Sequence, residues 1–165
     1  MKKLEDYDLK ELIQNAKDAG ACDDIHSFEK YSSVKEVLEN VDSLTLYKSL
    51  AWYAENVIKG RWPEVEETIL GSVYYSYLYA KNVIEGRWPE AERMISIHPS
   101  SAYYYAEYII KGRWPEGEKV ILKDAFYACY YAKNIVKGRW FDAEEVILDS
   151  IHRRDYLYSF PEAAK

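Results

Sequence analysis

The chain has 165 residues, of which 48% are hydrophobic and 16% aromatic, and its formal net charge at pH 7 is −6. This length and hydrophobic content are sufficient for one domain with its own core. A broad nucleic-acid-binding surface needs a basic face, so direct binding to nucleic acid is not expected. An acidic surface is compatible with binding to a basic protein.

The sequence has no feature of export or membrane insertion. Residues 1–6 lack the apolar core of a signal peptide, and no apolar run approaches the length of a membrane span. The two cysteines, Cys22 and Cys129, lie far apart and belong to no CxxC motif, so we expect free, mostly buried thiols. Together these observations predict a cytoplasmic protein.

Residues 1–47 are predicted to form a helical N-terminal cap. Apolar residues at helical spacing predict a helix over 8–19, which Gly20 ends. These apolar residues are Leu9, Leu12, Ile13 and Ala16. Residues 21–28 are expected to form a short helical turn.

A second helix of the cap is predicted over 34–40. Ser33 and Glu36 fit the capping-box pattern, in which a serine and a glutamate three residues later satisfy free amide groups. Asp42 or Ser43 is expected to cap the helix that follows.

From residue 48 to residue 148 the chain repeats every 26 residues without insertion. The dipeptide Tyr-Ala begins at Tyr53, Tyr79, Tyr105 and Tyr131. The tripeptide Gly-Arg-Trp begins at Gly60, Gly86, Gly112 and Gly138. A fixed period of this length predicts an array of four tandem repeats.

Each repeat is predicted to contain two short helices, A and B. Helix A is expected over 44–59, 73–85, 101–111 and 125–137. The glycine of Gly-Arg-Trp should end helix A by taking the left-handed conformation. Helix B should begin at Pro63, Pro89 and Pro115, because proline loses no hydrogen bond at the first helical position. In the fourth copy Phe141-Asp142 replaces Pro-Glu, which predicts a less rigid turn.

The buried faces of both helices are predicted from periodicity. The alanine of each Tyr-Ala dipeptide should lie at the centre of the buried face of helix A, and a recurring isoleucine should lie on that of helix B. The isoleucines are Ile69, Ile95, Ile121 and Ile147. Helices this short are not stable alone, so neighbouring repeats must bury them. We therefore predict an all-α fold, an α-solenoid of 26-residue helix-turn-helix repeats, as a single domain over 1–165 with a C-terminal cap over 149–165.

The opposite face of helix A carries aromatic residues. The candidate binding residues on it are Trp52, Tyr75, Tyr104, Tyr108, Tyr127 and Tyr130. One interpretation is that A helices of adjacent repeats pack together and bury most of these rings. The other is a tyrosine-lined recognition surface, since tyrosine offers a large contact area at a low entropic cost.

The arginines of Gly-Arg-Trp form a second candidate set. They are Arg61, Arg87, Arg113 and Arg139. Each could pair with a glutamate of helix B, or the row could grip carboxylates or phosphates of a ligand. The tryptophans that follow them are expected to fill the gap between repeats.

No catalytic or metal-binding motif is found in the sequence. The three histidines, His26, His98 and His152, have no metal-ligand spacing to a cysteine or to each other. No nucleophile elbow, phosphate-binding loop or dinucleotide fingerprint is present. We therefore expect no cofactor and no metal, and we do not expect an enzyme.

The stretch 79–92, Tyr-Ala-Lys-Asn-Val-Ile-Glu-Gly-Arg-Trp-Pro-Glu-Ala-Glu, resembles the tandem "YAxxVIxGRWPEAE" repeats of certain proteins of tailed bacteriophages, prophages and some bacteria. The resemblance covers about residues 48–150, and the segments 16–22 and 37–39 resemble the region that often precedes such repeats. Gly117 in place of alanine and Phe141-Asp142 in place of Pro-Glu depart from the pattern. The resemblance implies a phage or prophage origin and implies no catalytic residue.

The leading hypothesis is a non-enzymatic protein-binding repeat protein. It would be a phage-encoded adaptor or inhibitor acting on a host or phage protein, for example one of a bacterial defence system such as CRISPR. A binder of a nucleotide or another phosphate-bearing ligand between repeats, and a structural protein of the virion, are the two alternatives.

Overall fold

The structure is a computed structural model that describes residues 3–21 and 23–164, apart from the side chains of Asp23 and Asp24. The described residues form helices, turns and bends without a β-strand, which confirms the all-α class. They fall into two compact units, Met1–Ile84 (unit 1) and Glu85–Lys165 (unit 2). A single domain over 1–165 stays a prediction, and the prediction for the Cys22 thiol lies outside the described residues.

Unit 1 contains the N-terminal segment and the first one and a half repeats. Its elements are a 3₁₀ segment Leu4–Asp6, α1 (Leu9–Asp18), a 3₁₀ segment Asp23–Phe28, α2 (Val34–Asn40), α3 (Ser43–Tyr53), α4 (Pro63–Ile69) and α5 (Val73–Tyr79). The side chains of Asp8, Ser33 and Asp42 accept hydrogen bonds from amides of the first turns of α1, α2 and α3. These caps confirm the helix starts predicted for the N-terminal segment.

Unit 2 contains the remaining repeats and the C-terminal segment. Its elements are α6 (Pro89–Ile95), α7 (Pro99–Tyr105), α8 (Pro115–Ile121), α9 (Ala125–Tyr131), α10 (Phe141–Leu148), α11 (Arg153–Ser159) and a 3₁₀ segment Pro161–Ala164. Helices A are thus α3, α5, α7 and α9, and helices B are α4, α6, α8 and α10. The B helices begin at the three predicted prolines, and the fourth begins at Phe141.

Each helix A widens into a π turn over its last five residues, a feature that the sequence pattern did not predict. The π segments are Ala54–Ile58, Ala80–Ile84, Ala106–Ile110 and Ala132–Val136. In the first of them the Lys59 and Gly60 amides both donate to the Ala54 carbonyl. The Lys111 and Gly112 amides do the same with Ala106.

The prediction that the glycine takes the left-handed conformation is wrong. The positive φ angles lie one residue earlier, at Lys59 (56°), Glu85 (55°), Lys111 (57°) and Lys137 (55°). A π turn contains one residue more than an α turn, and here it ends the helix two residues before the glycine. The residue between them takes the left-handed conformation and reverses the chain. Among the described glycines only Gly20, after α1, has a positive φ, of 84°.

The core follows the repeat. The alanines of the four Tyr-Ala dipeptides and the four helix B isoleucines are completely buried, which confirms the predicted inner faces. Consecutive A helices pack on each other within each unit, α3 on α5 and α7 on α9, and each of α3, α7 and α9 also packs on the helix B that follows it. This packing brings the Gly-Arg-Trp turn of one repeat next to helix A of the following repeat.

Candidate functional site

The four arginines of Gly-Arg-Trp each pair with the glutamate five residues later. In each pair Nε and Nη2 donate to the two carboxylate oxygens, at 2.6–2.8 Å. The pairs are Arg61–Glu66, Arg87–Glu92, Arg113–Glu118 and Arg139–Glu144. Such fork-shaped pairing fixes both groups in one geometry. It agrees with the helix B interpretation and explains the arginines without a ligand.

A tyrosine of the following helix, which is the next helix A for the first three pairs and α11 for the fourth, joins each of these pairs. The Tyr105 hydroxyl accepts a hydrogen bond from the Trp88 amide at 2.9 Å and donates one to Glu92 Oε1 at 3.0 Å. The equivalent two hydrogen bonds are made in the other three pairs by Tyr79, Tyr131 and Tyr156. We call this set of Arg, Trp and Glu from one repeat and Tyr from the next helix the junction. Its tyrosine rings are completely buried.

Burial changes the titration of the junction groups. It raises the pKa of Tyr79 to about 12, and it raises the pKa values of Tyr105 and Tyr131 as well. The pKa of Glu92 is lowered, chiefly by the hydrogen bonds from Arg87. Burial alone would raise the pKa of Glu118, but the hydrogen bonds from Arg113 and Tyr131 lower it overall. The junction is therefore a neutral tyrosine between an ionised pair and a backbone amide.

The tryptophans of the Gly-Arg-Trp elements are buried, and that their rings fill the gap between repeats stays a prediction. Trp62, Trp88, Trp114 and Trp140 are 1–3% exposed. The rings of Tyr105 and Trp114, from the same repeat, lie 4.9 Å apart, and those of Tyr131 and Trp140 lie 4.8 Å apart. The candidate residues of the Gly-Arg-Trp element thus belong to the packing of the repeats.

The two departures from the repeat pattern have local structural reasons. At Gly117 a Cβ atom would lie 2.4 Å from Cε3 of Trp114, so the glycine makes room for that ring. The Phe141 ring lies 4.5 Å below the Arg139 guanidinium carbon, a cation–π contact that proline could not provide. Arg139 also donates to the Glu162 carbonyl, which ties the turn before α10 to the C-terminal 3₁₀ segment.

The aromatic face of helix A is partly buried, because some of its rings are half-buried and others exposed. A role of this face in recognition stays a prediction. In unit 2 Tyr104 is 38%, Tyr108 47%, Phe126 42% and Tyr130 40% exposed. Tyr127 lies half-buried among them. We call these five residues of α7, its π turn and α9 the aromatic surface.

The rings of the aromatic surface contact one another. Tyr104 and Tyr108 stack with centroids 6.1 Å apart and planes at 17°, and Phe126 meets Tyr130 at 4.7 Å and Tyr127 at 5.0 Å. Tyr104 meets Tyr127 edge to face at 6.4 Å, which links the two groups. The surface is thus one continuous layer of rings.

A buried tyrosine supports this layer from below. Tyr103 is 5% exposed, and its ring contacts those of Tyr104, Tyr127 and Tyr130. Its hydroxyl accepts a hydrogen bond of 2.7 Å from Asn134 Nδ2. Burial raises the pKa of Tyr103, so it stays neutral.

The two remaining candidate residues lie in unit 1, in different surroundings. Tyr75 is half-buried with its ring 6.4 Å from that of Tyr47 and 5.3 Å from that of Tyr74. Trp52 is half-buried and lines an apolar cavity beside α1 and α2. The structure therefore brings together four of the six predicted aromatic residues: Tyr104, Tyr108, Tyr127 and Tyr130.

Sequence reasoning missed Phe126 because its position does not repeat. The corresponding residues 26 and 52 positions earlier are Ser100 and Tyr74. The contact between the rings of Phe126 and His152, at 5.3 Å, extends the layer to the N-terminus of α11. The only sequence feature that could have indicated Phe126 is its position next to Tyr127, since the preceding repeat likewise has two adjacent aromatic residues, Tyr103 and Tyr104.

Over residues 3–21 and 23–164 no group of His, Cys, Asp or Glu side chains is arranged to hold a metal ion. The Cys129 thiol is buried, and burial raises its pKa. A raised pKa leaves little thiolate, the reactive form, at neutral pH. None of the helices described here combines the length and apolarity that a membrane crossing requires.

Comparison with protein-family models, with curated proteins and with solved structures finds no match.

Proposed function

We propose that the chain is a non-enzymatic protein-binding repeat protein that holds its partner on the aromatic surface. The observation that carries the proposal is the exposure of four large rings, between 38 and 47%, side by side on one face of unit 2. Contiguous exposed aromatic groups are uncommon on proteins without a partner. Tyrosine is also enriched among the residues that dominate binding energy at interfaces.

The arrangement of the rings supports recognition in a second way. Each exposed ring touches at least one other, and Tyr103 contacts two of them, Tyr104 and Tyr130, as well as the half-buried Tyr127. Side chains that are already ordered lose little conformational entropy on binding, so more of the contact energy appears as affinity.

We also propose that the repeats stack as an α-solenoid. The 26-residue period supports this architecture, and so does the junction, which joins consecutive repeats by the same hydrogen bonds inside each unit. A stack of this kind presents successive A helices side by side, which is how repeat proteins build binding surfaces.

The proposed partner is a host or phage protein in the cytoplasm of an infected bacterium. The resemblance of residues 48–150 to phage repeats supports this setting. Inhibition of a defence protein, for example of a CRISPR system, is the specific form of the proposal, and the net charge of −6 suits a partner with a basic face.

The test is affinity capture followed by a measured affinity. The tagged chain is incubated with lysate of a candidate host, recovered proteins are identified by mass spectrometry, and the purified partner is titrated calorimetrically. We expect a Tyr104→Ala/Tyr130→Ala variant to bind at least roughly tenfold more weakly, because interface aromatics carry much of the binding energy.

The matched control is Tyr158→Ala, which removes a ring of α11 that is 89% exposed. It should bind like the wild type. Equal affinity of all three proteins would contradict the proposal, as would recovery of the chain as a stoichiometric component of purified phage particles.

A further inference from the structure

The B helices α6 and α8 of unit 2 border an open groove of about 560 Å³. Three basic side chains line this groove: Arg93 on α6, Lys119 on α8 and Lys123 in the turn after α8. Ile97 and Val120 contribute apolar atoms, and Ile97 is 58% exposed. The groove lies between two repeats, and none of its lining residues belongs to the aromatic surface.

The acidic residues of the lining leave the groove with an excess of positive charge. Glu92 is paired with Arg87 and also accepts a hydrogen bond from Tyr105, so its charge is already balanced. Glu116 is exposed, and the pKa of Arg87 is raised chiefly by its hydrogen bonds to Glu92 and also by the charge of Glu116. Against the three basic side chains, the lining therefore contributes one further carboxylate.

The basic side chains of the groove have no acidic partner in the part of the chain that the structure describes. No carboxylate there forms an ion pair with Arg93, Lys119 or Lys123, whereas the four arginines of Gly-Arg-Trp are all paired. All three basic side chains are exposed. Their charges repel one another, and an anion with several charges in the groove would offset that repulsion.

The repeat itself does not require these cations. The first and fourth copies have Glu67 and Glu145 at the position that Arg93 and Lys119 occupy in the second and third. A cation in the last turn complements the helix dipole, but α4 and α10 form with a carboxylate at this position. Only the second and third copies place two cations next to each other in the array, and these copies border the groove.

The groove on the other side of α8 has the opposite charge. It lies between α8 and α10 and is lined by Asp142, Glu145 and Asp149 together with Lys123. An anion would be repelled from these three carboxylates. The excess of positive charge is therefore confined to the groove between α6 and α8.

We propose that the groove between α6 and α8 binds a small molecule with two or more phosphate groups. Arg93 would contact the phosphates from one repeat, and Lys119 and Lys123 would contact them from the next. The volume falls within the range of about 300–1,000 Å³ that is usual for small-ligand sites. Inorganic oligophosphates and nucleoside phosphates share this chemistry, and Ile97 and Val120 would contact the organic part of the latter.

The first experiment titrates tripolyphosphate into the full chain at low ionic strength, with calorimetry as the readout. We expect saturable binding of one molecule per chain, and weaker binding at about 0.15 M salt because exposed charges are screened. Orthophosphate has fewer oxygens to contact the three cations and should bind at least roughly tenfold more weakly. A parallel titration with ATP distinguishes the two sources: tighter binding than that of tripolyphosphate assigns the site to a nucleotide, and weaker or equal binding assigns it to an inorganic oligophosphate.

Arg93→Glu/Lys119→Glu tests the location. It introduces the glutamate that the first and fourth copies carry, so the B helices should still form. The variant should bind tripolyphosphate roughly tenfold more weakly or worse, because two attractive contacts become repulsive. Arg93→Gln/Lys119→Gln is the second variant, and its matched control is Arg153→Gln/Arg154→Gln, which removes two exposed charges from α11 and should bind like the wild type.

Nuclear magnetic resonance of the ¹⁵N-labelled chain locates the ligand independently. The amide shifts caused by tripolyphosphate should be largest over residues 93–97 and 119–123. Absence of saturable binding at millimolar tripolyphosphate would overturn the proposal. Wild-type affinity of both Arg93/Lys119 variants, equal affinity for orthophosphate, or shifts spread evenly over the exposed lysines and arginines of both units would overturn it as well.

Discussion

Among single residues, the junction tyrosine is the one that connects a repeat to the helix that follows it. The Tyr105 hydroxyl satisfies the buried amide of Trp88 and at the same time donates to Glu92, which Arg87 holds in place. A buried amide without a partner is costly, so loss of the hydroxyl should destabilise the fold by more than the net free energy of an ordinary hydrogen bond. Phenylalanine has the same shape and lacks only this oxygen.

Tyr105→Phe is therefore expected to destabilise the chain by about 1–3 kcal/mol, the penalty for leaving a buried donor unsatisfied. The measurement is urea-induced unfolding followed by circular dichroism. Tyr130→Phe, which removes the hydroxyl of a partly exposed ring, is the control and should change the stability by less than about 0.5 kcal/mol. Equal effects of the two substitutions would contradict the role of the junction.

Alkaline pH should act on the same residues. The pKa of Tyr79 is raised to about 12, whereas an ordinary tyrosine ionises near about 10. Because the folded state holds the proton more tightly, this contribution to stability is complete below about pH 10 and is lost as pH rises toward about 12.

The measurement is the ultraviolet absorbance of tyrosinate during a pH titration, with helicity followed in parallel. The junction tyrosines should ionise only as helicity is lost. Ionisation of these tyrosines at about pH 10, with helicity unchanged, would contradict this expectation.

Among the structural elements, the π turn at the end of helix A determines which residue reverses the chain direction between helices A and B. The π turn places the left-handed residue at Lys111, so Gly112 has no positive φ and an added Cβ there would meet nothing within 4 Å. The glycine of the repeated tripeptide is therefore not needed for the backbone conformation. The structure offers no physical reason for a glycine at this position.

Gly112→Ala should accordingly be neutral or stabilise the chain by about 0.4–1 kcal/mol, because alanine restricts the unfolded chain. Gly20→Ala is the matched control: its φ of 84° is left-handed, and alanine there should destabilise by about 1–2 kcal/mol. Thermal unfolding of both variants is the measurement. Destabilisation by Gly112→Ala to the same extent as Gly20→Ala would mean that the glycine does reverse the chain.

Helix starts could be predicted from the sequence, and the ends of the A helices to within one residue, but the π conformation of those ends could not. Pro63, Pro89 and Pro115 are the first residues of B helices because proline suits only that helical position. A π turn differs from an α turn by one residue in its hydrogen bonds, and no side chain pattern distinguishes the two here. For the same reason the left-handed residue was placed one position too late.

At the scale of the whole molecule, repetition and variation have separate consequences. The residues that all copies share, Tyr, Arg, Trp and the helix B glutamate, build the junction and are explained by packing. The aromatic surface arises where the copies differ, since Tyr104 corresponds to Leu78 and Phe126 to Ser100. All four of its tyrosines were predicted from helix periodicity and Phe126 was not, whereas their exposure depends on neighbours that only the fold determines.

Contact between the aromatic surface and a partner protein is tested most directly by site-specific photocrosslinking in the host cell. Benzoylphenylalanine is introduced at position 108, in the surface, and at position 119, on the exposed side of α8, in separate experiments. We expect one discrete crosslinked protein from position 108 and none from position 119. No crosslink from position 108, or the same product from both positions, would contradict it.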